Sequence, residues 1–232
     1  MEAEKLMNVR RQVEIVAART LLKGIALRVR PYQPVTIGGH QIAAARRPCV
    51  ARAESTLNEL SAADVETAVD HGCAEGYFVR RCAEQGIMSI EVETDGPRLL
   101  LAQVSLTVDR VEGFGFIRQH IEQDNVDRLP SADATLSLSL MHHFMAKYGV
   151  DYARAMLTRI REKTRKVLIF EMGQADEPHF TRNAELPDMG TEPHSWIAEF
   201  IESAGFRDPS IICRTPALGS EDIDRATFSA NV

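Results

Sequence analysis

Apolar positions follow two rhythms along this chain, and the point where the rhythm changes divides it. In residues 4–29, Leu6, Val9, Val13, Val16 and Leu27 return at roughly helical spacing among Arg10, Arg11 and Arg19, which predicts an amphipathic helix. Pro31 and Pro34 end it, because a proline ring breaks the helical hydrogen-bond ladder. Residues 35–43 (VTIGGHQIA) read as a short extended stretch around a Gly-Gly turn, and 50–60 as a helix bearing Arg52, Leu57 and Leu60. From about residue 64 short apolar runs alternate with helical patterns. Strands are expected at AVD (68–70), SIEVE (89–93), FGFIRQHI (114–121), the start of ATLSLSLMHHF (134–144), KVLIFEM (166–172) and DPSIICR (208–214). Helices are expected over 75–85, 97–105, 151–165 and 193–204. Strands alternating with helices predict an α/β fold with a mostly parallel sheet covered on both faces. The polar connection 173–193 exceeds the usual loop length, which marks it as a candidate functional segment.

Length and charge sharpen this picture. The 232 residues fit one domain with an appendage, and no apolar run approaches the ~18 residues that a membrane span needs. Cys49, Cys73, Cys82 and Cys213 lack the paired spacing of a zinc site and are expected to be reduced, in a cytoplasmic protein. The net charge of -6 argues against a general nucleic-acid binder, yet it hides an asymmetry. Residues 1–50 hold nine Lys/Arg against three Glu, whereas the remaining 182 residues are net -12. The expected division is an N-terminal helical extension (1–50), serving as a lid, a homodimer contact or a basic element that attracts an anionic acceptor or membrane surface, and a main domain (51–232).

The segment AVDHGCAEGYF (68–78) carries the first chemistry. A strand ends in Asp70, then Gly72, Ala74 and Gly76 alternate ahead of a helix. Small residues there let the backbone turn sharply and approach a ligand, and a helix N-terminus favours negative groups. The next strand ends in Glu93, an acid suited to accepting both hydrogen bonds of a ribose diol.

On these residues the chain resembles the class I S-adenosylmethionine-dependent methyltransferases. DHGCAEGYF is similar to the family's first motif, an acid followed by alternating glycines, and Glu93 falls at its ribose acid. Leu129-Pro130 with DATLSLSLMHHF (133–144) resembles its fourth-strand stretch, and Trp196 with Ala204-Gly205-Phe206 its closing helix and turn. Two residues depart from the pattern: Ala74 replaces the middle glycine, and His71 an apolar residue. The resemblance, over about 50–232, implies a Rossmann-like seven-stranded sheet and S-adenosylmethionine as cofactor. It implies that Gly72 and Ala74 line the methionine part, Asp70 lies beneath the loop, and Thr94 borders the adenine. It further implies Glu122 at the adenine amine, with His120 and Asp124 as alternatives, and Ser139 and Met141 near the sulfonium. Arg52 is assigned to the cofactor carboxylate.

Methyl transfer needs an aligned acceptor, and a hydroxyl acceptor also needs a base. His142 or His143 is expected to be that base, with Glu171 as its orienting partner, because both lie at the carboxyl ends of strands. No adjacent acid pair marks a strand end, so no metal is expected. EMGQADEPHF (171–180) resembles a subgroup found among sugar, polysaccharide and RNA methyltransferases. The acidic core counts against RNA, while Gln174, Asp176, Glu177, His179, Asn183 and Glu185 suit a hydroxylated acceptor. The expectation is therefore O-methylation of a sugar, polysaccharide precursor or similar small molecule. The alternatives are an RNA methyltransferase and a non-catalytic cofactor-binding module. His194 and Tyr77 are read as loop and core residues, and Tyr32 as a lid residue or a helix stop.

Overall fold

The computed structural model describes residues 2–43, 45–47, 49–178 and 186–232, with side chains from residue 5. Helix α1 (Glu2–Val29) stops ahead of Pro31, and the Gly38-Gly39 turn joins β1 (Val35–Ile37) to β2 (His40–Ala43) in an antiparallel hairpin. Then follow α2 (Val50–Ala62), β3 (Thr67–His71), α3 (Tyr77–Glu84), β4 (Met88–Glu93), α4 (Gly96–Val108), β5 (Phe114–Arg118) and β6 (Ala132–Leu138). The chain ends with α5 (Met141–Tyr148), α6 (Val150–Lys163), β7 (Thr164–Glu171), α7 (Pro193–Ser203), β8 (Arg207–Pro216) and β9 (Asp224–Asn231). Local chemistry sets several of these ends. The Asp95 side chain caps α4 by accepting from the Arg98 amide at 3.1 Å, with a proline in the first turn.

Seven strands form one sheet in the order β5-β4-β3-β6-β7-β9-β8. Only β9 runs against its neighbours, β7 and β8. The order reverses between β3 and β6, which leaves a crevice above their carboxyl ends. One apolar cluster joins α2 and α3 to the sheet through Ala53, Leu60, Phe78 and Cys82. A larger one joins α5, α6 and α7 through Phe144, Met156, Leu157, Ile160, Phe200 and Ile201. All four cysteines are free thiols. Among the described residues no helix is long and apolar enough to cross a membrane.

Two readings of the sequence change here. The stripe Leu6, Val9, Val13 and Val16 is exposed, and α1 packs instead through Ile15, Ala18, Leu22 and Ala26 onto the hairpin and Leu101 of α4. Periodicity identifies a stripe but not which of two stripes is covered. His142 and His143 lie in the first turn of α5 rather than at a strand end, because β6 stops at Leu138.

Candidate functional site

The crevice at the sheet's reversal point opens into a cavity of about 530 Å³. Its floor is the loop between β3 and α3. Gly72, Ala74 and Gly76 all take left-handed backbone angles (φ 76°, 53° and 71°). Gly76 has no room for a side chain: a Cβ there would sit 2.1 Å from Glu91 Oε1 and 2.9 Å from the Ala102 Cβ. Ala74 accepts its strain, roughly 1 kcal/mol, and its amide donates to Glu93 Oε2 at 2.9 Å. The other oxygen, Glu93 Oε1, accepts from the amides of Thr94 at 2.7 Å and Asp95 at 2.9 Å. One carboxylate thus fixes both the glycine loop and the turn after β4 while facing the cavity.

Asp70 lies buried beneath this loop, and neither of its oxygens has a hydrogen-bond partner among the described residues. Burial, reinforced by Glu93, pushes its carboxyl up to about 8, with Arg52 pulling the other way. His71 beside it is also buried, which pushes its ring down to about 4 and keeps it neutral.

The far wall is a buried charged cluster at the ends of β6 and β7. Glu171 is fully buried and pairs with Arg47, with Arg52 at 2.8 Å and with Arg225 at 3.5 Å, and it accepts from Ser139 Oγ at 2.7 Å. Burial alone would raise its pKa, but Arg52, Arg47 and Arg225 together with the Ser139 hydroxyl hold it at about 2. Arg225 also makes a two-pronged contact with Glu177, Nε to Oε1 at 2.9 Å, and donates to Ser139 Oγ at 3.2 Å. The Tyr32 hydroxyl lies 3.3 Å from Ser139 Oγ and accepts from Arg47 Nη1 at 3.2 Å. Ser139 itself is held at a left-handed φ of 64° by its amide, which donates to the Glu171 carbonyl at 2.7 Å.

Residues 31–43 and 45–47 close the site from the N-terminal side. The Glu75 carboxylate, in the glycine loop, accepts from the amides of Tyr32 at 3.1 Å and Gln33 at 2.8 Å and pairs with Arg98. Gln33 Oε1 accepts from the Tyr77 amide at 2.9 Å. Tyr32, Gln33 and Arg46 then line the cavity. The extension thereby forms a wall of the site, where the sequence alone suggested an appended lid.

Most of the expected site residues share this cavity: Arg52, Gly72, Ala74, Glu93, Thr94, Ser139, His142 and His143 all line it. Asp70, Met141 and Glu171 sit behind its wall, fully or almost fully buried. Three expected roles change with the geometry. Arg52 is spent on Glu171 and on the Phe78 ring, 5.1 Å from its centroid, rather than left for a carboxylate. Among the described residues Glu171 meets Arg47, Arg52, Arg225, Ser139 and Thr227, so it braces arginines where the sequence suggested the partner of a base. Glu122 stands outside the cavity lining, half exposed beside His120, because β5 ends at Arg118. Gln119 takes the position next to that strand end, and its Nε2 is buried with no hydrogen-bond partner among the described residues. His142 Nδ1 accepts from the Gly173 amide at 3.1 Å, so the neutral ring carries its proton on Nε2 and presents a donor. His143 is exposed at the rim, its ring 4.2 Å from that of His142. Gln174 and Glu177 are buried and engaged within the protein, Asp176 is exposed, and His179, Asn183 and Glu185 lie outside the described residues.

The lining fits a nucleoside-sized cofactor with a ribose diol: an acid facing the cavity, a small-residue loop that lets a ligand approach the backbone, and an unsatisfied amide donor on Gln119, next to that acid on the neighbouring strand end. No family model matches the chain, and no curated protein matches it by sequence. Solved structures do match. The bifunctional kinase-methyltransferase WbdD superposes with a TM-score of 0.73 at 22% identity, over 90% of this chain and 45% of that one. The N-terminal domain of EvdMO1, crystallised in the presence of SAH and D-fucose, gives 0.66 at 14% identity over 96% and 97%. Magnesium protoporphyrin IX methyltransferase (ChlM) from Synechocystis PCC 6803, with bound SAM, gives 0.54 at 16% identity over 78% and 77%. The chain spans less than half the length of WbdD. These likenesses establish a fold shared with S-adenosylmethionine-dependent methyltransferases, a Rossmann-like α/β sheet with an N-terminal helical extension.

Proposed function

We propose that the chain is an S-adenosylmethionine-dependent methyltransferase acting on a hydroxyl of a sugar, polysaccharide precursor or similar small molecule. The observation that carries this reading is the left-handed glycine loop tied through Glu93 to the turn after β4, facing a cavity at the sheet's reversal point. The fold's likeness to neighbours solved with bound SAM or in the presence of SAH supports the cofactor, and the presence of D-fucose with EvdMO1 supports the acceptor class.

The cofactor would supply an electrophilic methyl group on a sulfonium. In this reading Glu93 accepts from the ribose hydroxyls, the backbone of Gly72 and Ala74 lines the methionine part while their amides stay bonded to Val92 and Glu93, and Gln119 offers its side-chain amide to the adenine. Ser139 and Tyr32, braced by Arg47, Arg225 and Glu171, hold polar hydroxyls at the end where the acceptor enters. Their role is alignment, which in a displacement at carbon carries much of the rate. His143 at the rim is the residue to take the acceptor proton, while His142 donates from Nε2. The reaction is proposed to need no metal, and the protein to act in the cytoplasm, where its four free cysteines would stay reduced.

The test is transfer of labelled methyl from S-adenosylmethionine across free sugars, glycans, small phenols and RNA, with and without chelator. The expected result is label on a sugar or glycan, unchanged by chelator. Label confined to RNA, or cofactor binding without transfer to any acceptor, would overturn the acceptor reading.

A further inference from the structure

Helix α1 leaves an apolar seam uncovered. The helix has 28 residues, about 42 Å of rise, and among its described side chains every buried one lies at or beyond Ile15. Residues 5–14 touch neither the hairpin nor α4 through any buried side chain. Leu6, Val9, Val13 and Val16 are 57%, 55%, 63% and 58% exposed. Their 3-4-3 spacing is that of the first and fourth positions of a heptad, and Leu27, 81% exposed, falls on the same line beyond Thr20 and Lys23. At about 100° per residue this seam lies roughly 150° around the helix from the Ile15, Ala18, Leu22, Ala26 stripe that packs on the body. Three turns of helix with no packed face are marginal in water. A contiguous exposed apolar strip of this kind marks an interaction surface.

The charges beside the seam choose its occupant. The heptad positions that flank a seam are here Lys5, Arg10, Gln12, Ala17 and Arg19, three cations and no acid. Among the described residues none of these cations is in an ion pair. Glu14 lies off the seam. A second copy meets like charge in either direction: parallel pairing sets Lys5 against Arg10, and antiparallel pairing sets Arg10 against Arg10 and Lys5 against Arg19. An anionic lipid surface suits the charge but not the shape. Residues 2–29 contain no aromatic residue to seat at a headgroup layer, and although Met7 and Leu21 are exposed too, the side chains at heptad spacing are mostly β-branched valines.

We propose that the exposed seam of α1 docks an α-helix of another protein that carries apolar residues at heptad spacing and acidic residues on both flanks. Binding by the intact protein is measured by fluorescence anisotropy with two synthetic helices of about four heptads, each with Leu in the seam positions and either Glu or Lys in every flanking position. The Glu helix is expected to bind, at least about tenfold more tightly at low than at high salt, and the Lys helix not to bind. Val9→Glu with Val13→Glu is expected to abolish binding with the unfolding midpoint unchanged, since both positions are exposed. Arg10→Glu with Arg19→Glu is expected to switch the preference to the Lys helix. Equal binding of both helices, binding of neither, self-association lost in the Val9/Val13 variant, or sedimentation with phosphatidylglycerol vesicles in place of the peptide would each overturn the proposal.

Discussion

Replacing Glu171 with Gln separates a structural hub from an orienting catalytic carboxylate. The Glu171 carboxylate is fully buried against Arg47, Arg52 and Arg225, with Glu177 as the second acid in the cluster. Glu171→Gln keeps the shape and leaves three buried arginines facing one acid. Removing one partner of a buried ion pair costs about 3–5 kcal/mol, because the remaining charge stays desolvated. The lowered pKa gives a similar figure. The gap between about 2 in the folded chain and an ordinary glutamate corresponds to on the order of 3 kcal/mol at neutral pH. For a domain of this size each kcal/mol moves the midpoint by about 2–4 °C, so the variant should melt roughly 6–20 °C lower. Thermal unfolding at neutral pH measures this directly. Glu84→Gln, which removes an exposed pair with Arg81, is the control and should shift stability by less than about 1 kcal/mol. The sign with pH follows as well. A depressed carboxylate adds stability above its unfolded pKa, near about 4.3, and loses it as pH falls towards 2. The wild type should therefore lose its advantage over the variant across that window. A Glu171→Gln protein that melts within about 2 °C of wild type at neutral pH would refute the hub and return Glu171 to a purely catalytic role.

Other residues carry predictions of different sign. Asp70 behaves oppositely to Glu171. Its carboxyl is pushed up to about 8, so its contribution is complete below the unfolded value near about 3.9 and is lost as pH rises towards 8. Asp70→Asn should match wild type in urea unfolding near pH 4 and exceed it at pH 8; an unchanged difference between the two pH values would refute this. Gly76→Ala should unfold the loop or cost more than about 3 kcal/mol through its clash with Glu91 and Ala102, whereas Gly39→Ala, with open space around it, should cost only the roughly 1 kcal/mol of left-handed strain. Gln119→Leu should weaken S-adenosylhomocysteine binding about tenfold while stabilising the ligand-free protein, because it removes a buried donor without a partner. Calorimetry and thermal unfolding read the two effects separately.

The sequence made the βα order legible because each buried parallel strand is a short apolar run, KVLIFEM most plainly, and because Gly72 and Gly76 punctuate a strand-to-helix turn. Strand β9 escaped notice: its residues DRATFSAN are small and polar, and its burial comes from lying between β7 and β8. Gln119 is hard to read from the sequence because spacing back from Leu129-Pro130 points to the acid Glu122, whereas β5 ends at Arg118 and leaves Gln119 at the strand end. The role of Glu171 could not be read locally. Its partners Arg47 and Arg225 lie 124 residues before it and at the start of β9, so an acid at the end of an apolar strand reads equally well as a catalytic carboxylate. Tyr32 likewise gains meaning only where Glu75 pins its backbone and Ser139 meets its hydroxyl.

The proposed function stands or falls with the cavity above β3 and β6 holding an adenosyl cofactor through Glu93. Titration calorimetry of the full chain with S-adenosylhomocysteine tests it most directly. One site per chain is expected, with affinity falling at least about tenfold in Glu93→Ala, where the ribose and the Ala74 amide lose a shared acceptor. No binding by the folded wild-type protein, or equal affinity in the Glu93 variant, would contradict it.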